Sequence, residues 1–223
     1  MSSPTSVPAA SARKLSVLLV DDHAVVREGY RRLLERESDL VVIGEAGTMR
    51  EALQKDAELE PDVVVLDIAL PGVSGIETLR RLIAHRPKAR VLIFSMYQDG
   101  IYATHAFNAG ARGYLSKASA PERLVGAVRA VAAGQRYLSP DVAQAMAQSS
   151  STAKQLASAL SARELEVLRM LAHGYGVEEI AERLGVSPKT AANHQTAIRQ
   201  KLGAGSALQL ILIAQQFGLI PGA

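Results

Sequence analysis

The sequence predicts an α/β fold, a (βα)5 doubly wound parallel sheet, followed by a small all-α domain. Two observations carry this prediction. From residue 15 onward, short aliphatic runs alternate five times with stretches of helical periodicity, which is typical of a parallel sheet covered by helices on both faces. From residue 160 onward, the strand-like runs stop and apolar residues recur at helical spacing alone.

Each of the five predicted strands is a short run rich in aliphatic residues. These runs are LSVLLV (15–20), LVVIGE (40–45), DVVVL (62–66), RVLIF (90–94) and GYL (113–115). The predicted helices between and after them lie near residues 24–36, 48–59, 75–86, 99–109 and 121–133. Prolines 61, 87 and 121 fall between these elements, where proline is best tolerated.

Composition divides the chain into four segments. The first is rich in Ser, Ala and Pro and lacks the apolar stretch of a secretory signal, so we expect disorder there. Pro140 can open a short helix, and the Ser/Thr cluster at 149–152 indicates a flexible connection. We expect a disordered tail over residues 1–14 and an α/β domain over residues 15–133. A linker with a short helix should follow over residues 134–155, and a helical domain over residues 156–221.

Composition also limits the classes of function. The 223 residues contain no cysteine, which excludes a disulfide scaffold, zinc bound by cysteine and a thiol nucleophile. No apolar run reaches the roughly 18 residues of a membrane span, so we expect no membrane contact and a cytoplasmic location. The formal net charge is +3, and residues 160–223 carry +1, a balance that neither requires nor excludes nucleic acid.

Polar side chains follow four of the predicted strands, at the edge where open parallel sheets bind ligands. Asp21 and Asp22 follow the first strand, Asp67 the third, Ser95 ends the fourth, and Lys117 follows the fifth. Any one of them alone is as well explained as a helix cap or loop residue. Three carboxylates together repel one another unless a cation joins them, and Mg²⁺ prefers carboxylate oxygens. Beside such a cation an aspartate can attack phosphorus as a nucleophile. A lysine can then offset the negative charge of the phosphoryl group, and a hydroxyl can donate a hydrogen bond to one of its oxygens.

Two other classes of protein with this fold agree less well with the residues at the strand ends. A flavin- or nucleotide-binding domain needs a Gly- or Thr-rich phosphate loop after its first strand, where this chain has the acidic DDH of residues 21–23. An aspartate-based phosphatase resembles DxDxT, with a second carboxylate two residues after the nucleophile. Ala69 occupies that position here.

The motifs DDH (21–23), LDIALPGVSG (66–75), Ser95 and GYLSK (113–117) together resemble the receiver domain of two-component response regulators. The resemblance covers residues 15–133. It implies that a partner histidine kinase phosphorylates Asp67. The chain would then catalyse its own phosphoryl transfer and dephosphorylation and would not otherwise be an enzyme.

The same resemblance assigns roles around the phosphoacceptor. Asp22 and Asp67 would bind Mg²⁺ directly, together with the main-chain carbonyl of Ala69, and Asp21 would contribute through water. Lys117 would pair with the phosphoryl group. Two further positions, Ser95 and Tyr114, match the hydroxyl and aromatic switch residues of the family.

The helical region carries its own start and turn signals. Ser161 with Glu164 is the pattern of a capping box, Gly185 indicates a tight turn, and Ser187-Pro188 is typical of a helix start. These residues alone fit a helix-turn-helix or any other small helical bundle. LSARELEVL (160–168), EIAERLGVSPKT (179–190) and His194 followed by KLG (201–203) resemble the LuxR-type output domain of the NarL/FixJ family, a four-helix DNA-binding module.

The helix expected from Pro188 to Leu202 has two unlike faces. Ala191, Gln195, Ile198 and Leu202 share one face, which we expect to pack inward. The opposite face presents polar side chains that can read bases in the major groove, and basic residues nearby can contact phosphates. The expected DNA contacts are Lys189, Thr190, Asn193, His194, Thr196, Arg199, Gln200 and Lys201.

The helical domain departs from its family in ways that remove basic contacts. Ala192 stands where the family usually has lysine, and Gly176-Val177-Glu178 replaces a polar and basic helix start. We therefore expect a homodimer, formed on phosphorylation, that binds two promoter half-sites of double-stranded DNA. A degenerate output domain that acts through protein–protein contacts is the alternative.

Overall fold

The computed structural model describes residues 13–119, 121–148, 158–216 and 219–220. Most of the predicted disordered tail therefore lies outside the described residues. The Ser/Thr cluster at 149–152, which we predict to be flexible, also lies outside them, as does the predicted start of the helical domain at residue 156.

Six strands form a single parallel sheet. They are β1 (Leu15–Val20), β2 (Leu40–Ala46), β3 (Val63–Leu66), β4 (Val91–Ser95), β5 (Gly113–Ser116) and β6 (Tyr137–Leu138). Their order in the sheet is β2-β1-β3-β4-β5-β6, and each neighbouring pair is parallel. The predicted fold class is confirmed. The sixth strand is an addition, since the sequence analysis placed its two residues in the linker.

Helices follow the strands and cover both faces of the sheet. They are α1 (Ala24–Glu35), α2 (Met49–Leu59), α3 (Gly75–His85), α4 (Gly100–Asn108), α5 (Glu122–Ala132) and α6 (Pro140–Gln148). The side chains of Thr48, Ser74 and Asp99 accept hydrogen bonds from backbone amides in the first turns of α2, α3 and α4, which fixes where these helices begin.

The two faces of the sheet pack into separate apolar layers. Leu18 and Val20 belong to one buried cluster, and Val17 and Leu19 belong to the other. This alternation follows from the two-residue period of a strand, and burial on both sides explains why the strands are aliphatic throughout. The charged groups of the central strands are consequently confined to the strand ends.

Four further helices form the C-terminal domain: α7 (Ala162–Ala172), α8 (Val177–Leu184), α9 (Pro188–Leu202) and α10 (Ala207–Gln216). The predicted capping box is confirmed, because the Ser161 hydroxyl accepts from the Glu164 amide while the Glu164 carboxylate accepts from the Ser161 amide. Gly185 turns the chain between α8 and α9 with a φ of 62°. Within the described parts of the chain, no helix is both long and apolar enough to cross a membrane.

The segment between the two domains is partly built into the first. β6 pairs with β5, and α6 packs so closely on α4 that a Cβ on Gly100 would lie 2.8 Å from the Cα of Met146. The first half of the predicted linker therefore extends the α/β domain.

Gly75 allows α3 to begin directly against the end of β3. A Cβ at this position would overlap backbone atoms of Asp67 and Ile68, whereas a Cβ on Gly126 in α5 would meet nothing within 4 Å. We expect Gly75→Ala to lower the free energy of unfolding by about 1–3 kcal/mol, because the methyl group overpacks a fixed backbone contact.

The matched control, Gly126→Ala, should raise the free energy of unfolding by about 0.5–1 kcal/mol. The reason is that alanine loses less conformational entropy than glycine when the chain folds into a helix. Urea unfolding followed by circular dichroism measures both variants. Equal effects of the two substitutions would contradict the close approach at Gly75.

Candidate functional site

The register of the sheet brings the predicted polar residues to one edge. Val20 lies opposite Leu66 in the β1–β3 pair, and the Asp67 amide donates to the Val20 carbonyl at 2.9 Å. Asp21 and Asp67 therefore leave neighbouring strands at the same level. On the other side of β3, the Lys117 amide donates to the carbonyl of Ser95 at 2.8 Å, which fixes the end of β5 against that of β4.

Lys117 joins the carboxylates across this edge. Its Nζ lies 2.6 Å from Asp21 Oδ2 and 2.6 Å from Asp67 Oδ2. All three side chains are buried, with exposed fractions of 8%, 9% and 4% for Lys117, Asp21 and Asp67. One ammonium therefore compensates two buried carboxylates, and the cluster of these three groups carries a net negative charge when all are ionised.

The two carboxylates differ in how well their charge is stabilised. Burial raises the pKa of Asp67, and the charge of Lys117 opposes this rise without cancelling it. Burial also acts on Asp21, but hydrogen bonds from Lys117 and His23 outweigh it and lower the pKa of Asp21. Burial lowers the pKa of Lys117, yet Asp67 and Asp21 outweigh this effect and raise it. Of these two carboxylates, Asp67 is thus the one whose negative charge is less well satisfied.

His23, which follows Asp21 and Asp22 in the chain, is a third possible metal ligand. Asp22 is partly exposed, and its Oδ1 lies 2.8 Å from His23 Nδ1. Asp21, Asp22 and His23 offer ligand atoms that all lie within 4.8 Å of one another. The carboxylates supply the hard oxygen atoms that Mg²⁺ prefers, so the donor chemistry fits this cation. His23 stands in the DDH motif, but the sequence analysis gave it no role.

Ala69 lies on the other side of Asp67. Its amide donates to Asp67 Oδ1 at 3.2 Å, so the backbone after β3 folds back toward the carboxylate. This amide satisfies the Asp67 oxygen that does not contact Lys117.

The predicted switch residues meet at the backbone of Tyr97. Ser95 is fully buried, and its Oγ accepts from the Tyr97 amide at 3.2 Å. Tyr114 is also fully buried, and its hydroxyl donates to the Tyr97 carbonyl at 2.8 Å. The structure thus brings Ser95 and Tyr114 together with the tyrosine ring already turned inward, whereas a half-exposed ring would have indicated a surface role.

The C-terminal domain packs against the same edge of the sheet. Arg169 of α7 donates to Asp99 Oδ2 at 2.7 Å and lies over the ring of Tyr97, 5.0 Å from its centre. The Tyr97 ring in turn stacks on Tyr102, with ring centres 4.2 Å apart. Sequence reasoning missed this cluster because no local pattern marks a contact between residues so far apart in the chain.

A second contact joins the turn of the helix-turn-helix to the loop after Asp67. The Gly72 amide donates to the Leu184 carbonyl at 2.8 Å. A Cβ on Gly185 would lie 3.1 Å from the Gly72 nitrogen, so the two backbones approach closely. Buried apolar residues of both domains accordingly form one contiguous cluster.

The two faces of α9 are arranged as expected. Ala191 and Ile198 are buried against the rest of the domain. The opposite, polar face is exposed at Lys189, Asn193, Thr196 and Gln200. The side chains that we expect in the major groove are therefore accessible even with the domain packed against the sheet.

The other expected DNA contacts are either paired within the protein or partly buried. Lys201 Nζ lies 2.7 Å from Glu164 Oε2, and the hydroxyls of Thr190 and Ser187 lie 2.8 Å apart. Arg199 is half-buried, and His194 lines a cleft between the domains beside Arg80 of α3. These four residues are less available to DNA than the exposed face of α9.

Comparison with known proteins gives a matching family for each of the two domains. A family model described as response regulator receiver domain matches residues 17–129, and one described as bacterial regulatory proteins of the luxR family matches residues 158–214. The response regulator GacA of Pseudomonas aeruginosa is 37% identical over 212 residues, which cover 94% of this chain and 99% of that protein. The response regulator UvrY of Escherichia coli is 36% identical over 208 residues, covering 92% and 95%.

A solved structure extends the similarity to three dimensions. The two-component response regulator RcsB, in a complex with DNA, is 25% identical, with a TM-score of 0.59 over 91% of this chain and 98% of that chain. The chain belongs to the NarL/FixJ family of two-component response regulators and is a DNA-binding transcription regulator with a receiver domain and a LuxR-type helix-turn-helix domain.

Proposed function

We propose that Asp67 is the phosphoacceptor of this regulator and that a histidine kinase is the phosphoryl donor. The observation that carries the proposal is the Lys117 ammonium, which lies 2.6 Å from both Asp21 and Asp67 at the carboxyl edge of the sheet. Of the two carboxylates that contact Lys117, Asp67 has the raised pKa and Asp21 the lowered one, so the charge of Asp67 is the less well satisfied of the two. Perturbed carboxyl groups in such a setting are typical of functional sites.

The transfer needs a nucleophile and positive charge around the phosphoryl oxygens. An oxygen of the Asp67 carboxylate attacks phosphorus, a P–O bond forms, and the P–N bond to the kinase histidine breaks with the electron pair leaving on the imidazole. Lys117 moves from the carboxylate to a phosphoryl oxygen, and the Ser95 hydroxyl donates to another. Ser95 ends β4, which pairs with β3, and Lys117 follows β5, the next strand beyond β4.

Asp21, Asp22, Asp67 and the main-chain carbonyl of Ala69 are the groups that we propose to hold Mg²⁺. When bound, the cation offsets the negative charge that gathers around phosphorus. The support for this site is the oxygen chemistry of three neighbouring carboxylates and the charge that Lys117 alone leaves uncompensated.

We propose that Ser95 and Tyr114 transmit phosphorylation toward α4. A hydroxyl drawn to the phosphoryl group gives up its contact with the Tyr97 amide, and the backbone that holds the Tyr114 hydroxyl moves with it. Tyr97 also contacts Arg169 of the output domain. A small shift at Ser95 can thus change a packed contact between the two domains.

The exposed face of α9 is the surface that we propose to enter the major groove. Asn193 and Gln200 can read adenine, Thr196 can contact a thymine methyl, and Lys189 is free for a phosphate. The complex of the related RcsB with DNA supports this use of the domain. With few phosphate contacts per chain, we propose that two phosphorylated chains bind two half-sites. Exposed apolar residues of α10, Leu208 and Leu212, are available for pairing the chains.

Asp67→Asn should abolish phosphorylation by acetyl phosphate in the presence of Mg²⁺, because the amide is not a nucleophile toward phosphorus. Intact-mass measurement reports the gain of one phosphoryl group in the unchanged protein and none in the variant. Asp39→Asn is the matched control, since Asp39 is exposed and paired with Arg129 far from the site. A full mass gain in Asp67→Asn would show that another residue is the acceptor.

Ala192→Lys should restore one phosphate contact per chain. We expect tighter DNA binding at low salt and a slope of log affinity on log salt steeper by about two for a dimer. Ala84→Lys adds the same charge on an exposed position of α3 and should leave the slope unchanged. DNA binding of both variants, measured over a series of salt concentrations, gives the two slopes.

An unchanged slope in Ala192→Lys would mean that α9 does not lie in the groove and would favour an output domain that acts through protein contacts. Asn193→Ala provides a second measurement on the same face. It should cost roughly 1–3 kcal/mol on the preferred sequence and little on other sequences, if Asn193 reads an adenine.

A further inference from the structure

Lys117 begins a short loop after β5 that is held from two sides. On one side, the Lys117 amide donates to the Ser95 carbonyl of β4 at 2.8 Å. On the other side, the loop contacts the end of β6 and the first turn of α6, which the sequence analysis placed in the linker. The position of the ammonium that contacts Asp21 and Asp67 therefore depends on both supports.

Three serine hydroxyls connect the loop to the β6–α6 segment. Ser139, the residue before α6, accepts through its Oγ from the Ser116 amide at 3.4 Å. Ser116 Oγ accepts from the Ala118 amide at 3.1 Å. Ser119 Oγ donates to Asp141 Oδ1 at 3.3 Å. The loop is thus bonded both to itself and to the segment that leads out of the receiver.

Asp141 is the acidic acceptor of this cluster. Ser116 and Ser139 are fully buried, so their hydroxyls need partners within the protein. Burial acts to raise the pKa of Asp141, but hydrogen bonds from the Ser139 and Ser116 side chains and from backbone amides outweigh it and lower the pKa. The carboxylate is therefore well satisfied where it lies.

The helix that carries Asp141 is a firm support. Val142, its neighbour in α6, is fully buried in the apolar cluster on one face of the sheet. The Ser139 amide donates to the Tyr114 carbonyl at 3.0 Å, which continues the pairing of β6 with β5 up to the start of α6. The position of Asp141 is therefore fixed relative to the sheet.

We propose that Asp141 is a positioning residue that acts on the candidate site through Lys117. It accepts from Ser119 and fixes the loop that carries the ammonium toward the carboxylates. The segment formed by β6 and α6, which leads toward the output domain, then also supports the phosphorylation site. This inference rests on the proposed function of that site.

A long side chain needs such support to place its charge. The ammonium of lysine stands on a flexible stem of four carbons, and holding it in one geometry costs conformational entropy. Lys117 Nζ nevertheless lies 2.6 Å from each of two carboxylates. A loop with fewer hydrogen bonds would leave the ammonium in this position for a smaller share of the time.

A capping role alone would explain the same contacts of Asp141. The residue lies in the first turn of α6, where a carboxylate stabilises a helix by its charge. Substitution would then lower stability without changing the candidate site. The two roles can be separated because Lys117 and a bound cation would compete for the same carboxylates.

The Mg²⁺ affinity of the unphosphorylated full chain reports how firmly Lys117 is held. Asp141→Ala and Ser119→Ala should each bind Mg²⁺ about threefold more tightly, an effect typical of one lost hydrogen bond, because a loosened ammonium competes less with the cation. Removing the Asp141 charge would by itself weaken cation binding, so a long-range charge effect has the opposite sign. Isothermal titration measures the affinity.

Two control variants accompany these measurements. Asp141→Asn keeps an oxygen that accepts from Ser119 and should bind Mg²⁺ as the unchanged protein does. Glu35→Ala removes an acidic side chain from an exposed position of α1 and should also leave the affinity unchanged. Urea unfolding followed by circular dichroism checks that every variant keeps the fold.

A double-mutant cycle with Lys117→Ala identifies the route. If Asp141 acts through Lys117, adding Asp141→Ala to Lys117→Ala should change neither the Mg²⁺ affinity nor the rate of phosphorylation by acetyl phosphate. In the unchanged background, Asp141→Ala should slow phosphorylation about threefold. Equal effects of Asp141→Ala in the two backgrounds would overturn the inference.

The other outcomes are equally decisive. Unchanged or weaker Mg²⁺ binding in a folded Asp141→Ala would overturn the inference, as would an Asp141→Asn that behaves like Asp141→Ala. Absence of a mass gain in the unchanged protein would overturn the proposed phosphoacceptor instead. Because the Mg²⁺ titration needs no phosphodonor, the two failures are distinguishable.

Discussion

The ion pairs of Lys117 are the interaction on which the arrangement of this protein depends. Parallel pairing of β1, β3, β4 and β5 delivers two buried carboxylates and one ammonium to the same edge of the sheet. Without the ammonium, Asp21 and Asp67 would be like charges in a region that water reaches poorly, and one of them would have to take up a proton. Lys117 thus favours the ionised form of Asp67, which the proposed role of this residue as phosphoacceptor requires.

The same edge is where the output domain meets the receiver. The turn of the helix-turn-helix bonds to the loop after Asp67, and Arg169 contacts both Asp99 and Tyr97 next to Ser95. The loop after Asp67 and the residues next to Ser95 are therefore each in direct contact with the output domain. In this arrangement the polar face of α9 remains exposed, so docking does not by itself cover the side chains that we expect to read DNA.

Local sequence patterns were enough to predict much of the fold and of the candidate site. The strand ends that carry Asp21, Asp67 and Lys117 follow from aliphatic runs and the geometry of parallel sheets, and the capping box at Ser161 follows from a four-residue pattern. The buried and exposed faces of α9 follow from helical periodicity. The two-residue strand β6 was missed because so short a segment has no period of its own.

The contacts between domains were missed for a different reason. Asp99 and Arg169 are 70 positions apart, and no local pattern pairs them. The partner of Lys201 was also not predictable, because Glu164 first appears as a capping residue and only the packing of α9 on α7 brings the ion pair together. Tertiary packing, which no local pattern contains, decided each of these cases.

Mg²⁺ binding by Lys117→Ala tests the central claim most directly. If the Lys117 ammonium compensates the carboxylates in the absence of a metal, it also competes with a cation for them. Isothermal titration of the unphosphorylated protein should then show tighter Mg²⁺ binding in Lys117→Ala than in the unchanged protein, together with slower phosphorylation by acetyl phosphate. Weaker Mg²⁺ binding in the variant would mean that Lys117 organises the site by packing and not by charge, and would contradict the account.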